Sequence, residues 1–123
     1  ADDVKWGYVF MNCTITAPGN PSETDVWLGR PWHNSPKTVF INTTAEVTIP
    51  AAGWYGNPAP NPAKASAASG WKEYGSKDLS GKSLSLNSRN TCAYTLKDEE
   101  YESYYKDRGI IFADAPVGTD WLK

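Results

Sequence analysis

The chain has 123 residues, a length that suits one domain spanning 1–123 with a core of its own. Its net charge of −2 provides no basic field for a phosphate backbone, so we expect no nucleic-acid partner. No apolar run approaches the roughly 20 residues of a membrane helix, and two cysteines with one histidine are too few for a four-ligand zinc site. We therefore expect no membrane partner, no metal and no cofactor.

Two similar hexapeptides predict stacked strands. VFMNCT at 9–14 recurs position for position as VFINTT at 39–44, an offset of 30 residues, within strand-like segments predicted at 8–16 and 37–44. Repetition at a fixed period is typical of solenoids, in which like residues stack above like. The pattern favours an all-β fold, a parallel β-helix, with Asn12 above Asn42 in an amide ladder. Chance similarity stays open, because only two copies are visible.

The rest of the chain is less regular. A short strand is predicted at 25–28. Residues 56–70 are nearly all Gly, Asn, Pro, Ala and Ser and predict a long irregular loop. Weak strand character returns at 71–74 and at 83–86. Residues 96–106 predict a helix, with Thr95 and Asp98 as capping residues and one apolar side that includes Leu96, Tyr101, Tyr104 and Tyr105.

A search for a self-contained catalytic set gives a negative answer. The sequence has no Gly-rich phosphate loop and no Gly-x-Ser-x-Gly motif, and His33 is its single imidazole. The spacing of the acidic residues sets no carboxylate pair apart. Pairing of Cys13 with Cys92 stays open, and a buried free thiol at Cys13 is favoured because Cys13 lies in a strand-like apolar run.

One dense cluster, VWLGRPWH at 26–33, could carry chemistry. An arginine held between a strand and a proline can bind a carboxylate through two parallel hydrogen bonds, and a neighbouring tryptophan can stack on the C–H face of a sugar. Arg30 and Trp32 are therefore candidate binding residues. The alternative is a core turn capped by tryptophan, with Arg30 bonded to backbone carbonyls. The two readings carry equal weight.

At this cluster the sequence resembles the pectin methylesterases, the pectinesterase family of carbohydrate esterases. The resemblance rests on LGRPW at 28–32, on GYVFMNCTI at 7–15 before it, and on TVF at 38–40 and IPAAGW at 49–54 after it. It is looser at EYGS 73–76, at SR 88–89 and in the closing helix at 96–104.

The resemblance implies a right-handed parallel β-helix, here a partial solenoid, that hydrolyses methyl esters of homogalacturonan to pectate and methanol. In that family one aspartate attacks the ester carbonyl, a second acts as acid and base, and glutamine amides stabilise the oxyanion. No residue of this chain matches those groups. Arg30 matches the arginine that orients the nucleophilic carboxylate, Trp32 a wall of the sugar groove, and Trp54 a weaker groove candidate. The polymer substrate implies a secreted location, periplasmic or extracellular.

The expected function is that of the C-terminal portion of a pectin methylesterase, catalytically incomplete without upstream coils that carry the aspartates. A chain that starts at Ala1 without an initiator methionine is consistent with that expectation. Two alternatives stay open. One is a non-catalytic polygalacturonate-binding module, and the other is a structural fragment whose exposed coil end is covered by another chain.

Overall fold

The computed structural model describes residues 6–19, 26–30, 36–55 and 70–113. The predicted loop at 56–70 lies outside the described residues except for Gly70. Within the described part, the elements in chain order are β1 Tyr8–Met11, β2 Thr14–Ile15, β3 Thr38–Ile41, β4 Thr44–Ala45, β5 Trp71–Tyr74, β6 Lys77–Asp78, β7 Ala93–Thr95, α1 Asp98–Tyr104 and α2 Arg108–Ile111.

The strands form two parallel sheets whose registers repeat together. The larger sheet has the order β1-β3-β5-β7 and the smaller sheet the order β2-β4-β6. Tyr8 lies opposite Thr38 in the larger sheet, and Thr14 lies opposite Thr44 in the smaller one, so both sheets use the 30-residue offset of the repeated hexapeptides. Each repeat therefore contributes one strand to each sheet. The predicted all-β character and the parallel stacking of the two repeats are confirmed, in an arrangement consistent with a β-helix.

The corner between the two sheets needs a left-handed backbone at one position of each repeat. Asn12 has φ 55°, Asn42 has φ 51° and Gly75 has φ 70°. Asparagine tolerates this region better than other residues with a side chain, and glycine adopts it freely. A Cβ at Gly75 would also collide with the Asn42 side chain. Asn12 lies above Asn42 as predicted, but among the described residues no hydrogen bond joins the two amides; the Asn42 amide donates to the Tyr101 hydroxyl at 3.4 Å instead.

An intersheet cluster of large side chains fills the space between the two sheets. Trp54 stacks on Trp71 with ring centroids 5.0 Å apart, and Phe40 lies 5.7 Å from Trp54. Phe10 stacks on its repeat partner Phe40 at 4.8 Å, so like residues do lie above like. The buried members of the cluster are Leu28, Phe40, Trp54 and Trp71.

A helix-side cluster covers the opposite face of the larger sheet. Helix α1 begins after Lys97, whose N–H donates to the Glu100 carboxylate at 2.9 Å, so neither Thr95 nor Asp98 caps it as predicted. Tyr104, which was predicted to lie on the apolar side of the helix, is 45% exposed, so that prediction is wrong for this residue. The buried members of this cluster are Val39, Ile41, Leu96 and Tyr105.

Three further expectations meet different outcomes. The strand predicted at 25–28 is not formed over its described part, 26–28, which is held by isolated hydrogen bonds rather than by a ladder; residue 25 lies outside the described residues. Residues 83–86 contribute only an isolated bridge between Ser83 and Lys77. Cys13 and Cys92 are both free thiols, and Cys13 is partly rather than fully buried.

Candidate functional site: an exposed arginine on an aromatic platform

The segment 26–30 lies against the segment 50–55 because two backbone hydrogen bonds join them. Leu28 N–H donates to the Gly53 carbonyl at 2.8 Å, and Tyr55 N–H donates to the Gly29 carbonyl at 2.9 Å. Leu28 enters the intersheet cluster. A Cβ at Gly29 would lie 3.1 Å from the Trp54 ring, so glycine lets that ring pack directly on the backbone. The inward Leu28 and the small Gly29 leave Arg30 at the surface.

Arg30 is exposed and rests on an aromatic ring. Its Cζ lies 4.4 Å from the centroid of the Tyr55 ring, a cation–π geometry. Trp27 meets Tyr55 at right angles, with centroids 5.2 Å apart and an interplanar angle of 79°. We call Arg30, Tyr55 and Trp27 the arginine platform. No ion pair joins Arg30 to a carboxylate of the described residues, so its N–H donors can meet an incoming anion.

The alternative considered for Arg30 was an arginine bonded to backbone carbonyls. Arg89, and not Arg30, makes such bonds among the described residues. Arg89 Nη1 donates to the carbonyls of Pro50 and Ala51 at 3.3 and 3.2 Å. Its Nε and Nη2 donate to the two carboxylate oxygens of Glu73 at 2.8 and 3.0 Å, a bidentate pair. The Ser76 hydroxyl donates to the same carboxylate at 2.6 Å. Arg89 is therefore structural and ties β5 to the turn that precedes Tyr55.

Sequence reasoning missed this buried pair. Glu73 and Arg89 are 16 positions apart and lie on no common helical face or strand period. Their side chains are only 2% and 6% exposed. The one signal was the loose resemblance at 73–76 and 88–89, which marked the residues without connecting them.

The two predicted groove tryptophans meet different outcomes. Trp32 lies outside the described residues, so its place in a groove stays a prediction. Trp54 is 0% exposed and packs in the intersheet cluster. A side chain with no exposed surface cannot stack on a sugar from this position, so the groove role of Trp54 is replaced by a core role. The Trp54 backbone still matters to the site, because it directly precedes Tyr55.

Most of the described titratable groups with shifted pKa values lie on the helix side of the larger sheet. Asp78 is the exception: it lies on β6 of the smaller sheet, and hydrogen bonds from Ser80 and Lys82 lower its pKa. The hydrogen bond from the Tyr74 hydroxyl to Asp98, 2.8 Å long, raises the pKa of Tyr74 to about 12. Burial raises the pKa of Tyr105 to about 12. Burial, reinforced by the charge of Lys37, lowers the pKa of Lys72. These groups supply no acid or base to Arg30.

No group of three or more His, Cys, Asp or Glu side chains among the described residues could hold a metal ion. No helix within the same residues is both long enough and apolar enough to span a membrane.

Comparison with known proteins places the chain beside plant pectinesterases. It is 40% identical over 52 residues to Probable pectinesterase 8 of Arabidopsis thaliana, a match that covers 42% of this chain and 12% of that protein. It is 38% identical over 56 residues to Probable pectinesterase/pectinesterase inhibitor 64 of the same plant, covering 39% of this chain and 9% of that protein.

A longer match runs through almost the whole chain. It is 28% identical over 118 residues to an Arabidopsis thaliana protein named as pectinesterase 14, covering 96% of this chain and 30% of that protein. The chain thus spans less than a third of the length of these relatives. No protein-family model matches it, and no solved structure matches it. The resemblance seen in the sequence is confirmed: the chain is similar to plant pectinesterases.

Proposed function

We propose that this chain is the C-terminal portion of a pectin methylesterase, built as a right-handed parallel β-helix and acting outside the cell on methyl-esterified homogalacturonan. The similarity to plant pectinesterases supports the family. The stacked parallel sheets support the fold, and parallel crossovers are right-handed in nearly all proteins. The observation that carries the proposal is the place of Arg30: the arginine of the LGRPW segment is exposed over the Tyr55 ring, and no carboxylate of the described residues forms an ion pair with it.

In the proposed mechanism Arg30 binds and orients a carboxylate that belongs to an upstream coil. The guanidinium donates two N–H bonds to that carboxylate, which keeps it ionised and aimed at the substrate. The carboxylate oxygen attacks the ester carbonyl, the bond to the methoxy oxygen breaks, and a second carboxyl group protonates the departing methanol. Water then attacks the acyl carbon and gives one proton to the second carboxylate, and the bond between the acyl carbon and the nucleophile's oxygen breaks, which returns the nucleophile as a carboxylate. The product that leaves is galacturonate, in which the methyl ester has become a carboxylate.

Trp32, two residues beyond Arg30, is proposed to wall the sugar groove. In this proposal its indole stacks on the apolar face of a galacturonate ring. Replacement of Trp32 by alanine is expected to raise KM as well as lower kcat, because the ring contacts both the bound substrate and the transition state.

Substitution of Arg30 in the full-length polypeptide encoded by the gene tests this function. Arg30→Ala is expected to lower kcat for methanol release about 100-fold, because the nucleophilic carboxylate would lose the two hydrogen bonds that hold it in the attacking geometry. Arg108→Ala is the matched control, since Arg108 is an exposed arginine on α2. An Arg30→Ala enzyme as active as the Arg108→Ala enzyme would overturn the proposed role of Arg30.

The non-catalytic alternative keeps one supporting observation: Arg30 is exposed, and the described residues offer no carboxylate pair beside it. Titration calorimetry with oligogalacturonides separates the two functions. A binding module predicts that the 123-residue chain binds them, that Trp32→Ala abolishes the binding, and that the full-length polypeptide releases no methanol. Methanol release by the full-length polypeptide would exclude it.

A further inference from the structure

We propose that Tyr55 is the positioning residue for Arg30: its ring is the seat that fixes where the guanidinium points. The structural part of this inference stands on the described contacts alone. Its catalytic consequence rests on the proposed function, in which Arg30 orients a nucleophilic carboxylate.

The first step is the contact between the two side chains. Arg30 is exposed, and an exposed arginine ordinarily samples many rotamers at a cost in entropy when it is ordered. Here its Cζ lies 4.4 Å above the Tyr55 ring centroid. A guanidinium stacked on an aromatic face keeps its N–H edge free for hydrogen bonds, because the attraction acts through the flat face of the group. The seat restricts Arg30 and leaves its donors available.

The second step is that the seat itself is fixed. The edge contact with Trp27, at 5.2 Å and 79°, holds the plane of the Tyr55 ring. The Tyr55 N–H is bonded to the Gly29 carbonyl, one residue before Arg30, so the ring and the arginine share a common backbone anchor.

The third step is a brace on the turn that carries Tyr55. Arg89 holds the carbonyls of Pro50 and Ala51, as described above. Asn90 N–H donates to the Ala52 carbonyl at 2.8 Å, and its side-chain amide donates to the Trp54 carbonyl at 3.3 Å. The residues just before Tyr55 are therefore bonded to a neighbouring part of the fold, and the buried Glu73–Arg89 pair acts on Arg30 through Tyr55.

These contacts indicate that the aromatic ring of Tyr55, and not its phenolic hydroxyl, positions Arg30. Tyr55→Phe keeps the aromatic face and should keep the seat. Tyr55→Leu keeps an apolar side chain of moderate size and removes the π face. The pair separates positioning of Arg30 from simple packing, because both variants retain the backbone bond to Gly29.

The direct test is NMR of the arginine Nε–Hε groups in the 123-residue chain. The Arg30 signal is expected to show a ring-current shift and restricted motion in the wild type and in Tyr55→Phe. In Tyr55→Leu it should move to the position and mobility of an exposed arginine. An Arg30 signal that is unchanged in Tyr55→Leu, or already mobile in the wild type, would overturn the inference. This measurement needs no enzyme activity.

The kinetic test uses the full-length polypeptide. Tyr55→Leu is expected to lower kcat for methanol release about 3- to 10-fold, with KM unchanged, and Tyr55→Phe should restore the wild-type rate. Equal losses in the two variants, or a change confined to KM, would contradict positioning through the ring. If instead Arg30→Ala leaves the rate unchanged while the NMR result holds, the proposed function fails and the seat survives.

Discussion

Glu73 is a buried acidic residue, and hydrogen bonds from Arg89 and Ser76 compensate its carboxylate for the loss of water. The carboxylate accepts two bonds from Arg89 and one from Ser76, and Arg89 is further bonded to two backbone carbonyls. A buried ion pair has a large desolvation cost, so removal of one member leaves an uncompensated charge. The pair is best understood as a link that fixes the 50–53 turn.

Glu73→Gln is therefore expected to lower the free energy of unfolding by about 3 kcal/mol, because Arg89 would stay buried without its counter-charge. The matched control is Glu102→Gln, which breaks the exposed pair between Glu102 and Lys106 and should change the free energy of unfolding far less, because solvent screens both charges. Urea denaturation measures both. Equal effects would show that the Glu73–Arg89 pair is not buried as described.

Gly53 is required by its backbone and by its neighbour. Its φ is +69°, and a Cβ there would lie 2.5 Å from Arg89 Cδ. Gly81 has φ +85° with open space around it. Gly81→Ala should therefore show the backbone strain alone, about 1 kcal/mol, and Gly53→Ala at least about 1 kcal/mol more from the collision. Thermal unfolding of the two variants checks the difference, and a smaller loss for Gly53→Ala would contradict it.

Tyr74 gives the stability a dependence on alkaline pH. Its pKa is raised to about 12 in the folded state from its ordinary value near 10. Between those values the folded state holds a proton that the unfolded state has lost, so the contribution of Tyr74 is present below pH 10 and is lost as pH rises through 12. The lowered pKa of Lys72 acts in the opposite direction below its ordinary value of 10.5, because there the unfolded state binds the extra proton.

Tyr74→Phe isolates the tyrosine, since Lys72 and Tyr105 are unchanged in the variant. The stability difference between wild type and Tyr74→Phe is expected to shrink as pH rises from 10 toward 12. Denaturant unfolding at several pH values measures it. A difference that stays constant across this range would show that the bond to Asp98 does not shift the pKa of Tyr74.

At the scale of elements, helix α1 stabilises the fold through the side chain just beyond its end. Tyr105 is 1% exposed in the helix-side cluster, whereas its neighbour Tyr104 is 45% exposed. Tyr105→Ala is expected to lower the free energy of unfolding by about 3 kcal/mol, and Tyr104→Ala by less than about 1 kcal/mol. Urea denaturation compares the two. Similar losses would contradict the docking of α1 on the larger sheet.

The strands that could be predicted are those with a local signal. The hexapeptides at 9–14 and 39–44 predicted the register of their strands, because residues 30 positions apart in the sequence lie opposite each other in both sheets. The later pairings use other offsets, with Thr38 opposite Trp71 and Trp71 opposite Ala93, so no period reveals them. Strand β7 and helix α2 had no signal of their own, since their stability comes from the strand and cluster they pack against.

The candidate site shows the same division. The LGRPW segment identified Arg30, because a motif is read along the chain. The contact of Arg30 with Tyr55 could not be predicted, because the two residues are 25 positions apart. The burial of Trp54 could not be predicted either, because a tryptophan suits a core and a sugar groove equally well. Contacts between distant segments depend on how the coils stack.

At the scale of the whole molecule, the account depends on a division of labour between this chain and upstream coils. The chain spans less than a third of the length of the plant pectinesterases that it matches. In the proposed enzyme these residues provide the guanidinium and its aromatic seat, and the remaining coils provide the two carboxylates and the oxyanion donors.

Methanol release from methyl-esterified homogalacturonan tests this division most directly, when measured in parallel for the 123-residue chain and for the full-length polypeptide of its gene. The account predicts turnover by the full-length polypeptide and release at the buffer rate by the 123-residue chain, since loss of a nucleophile removes many powers of ten in rate. Comparable rates for the two, or a full-length polypeptide with no esterase activity, would contradict it.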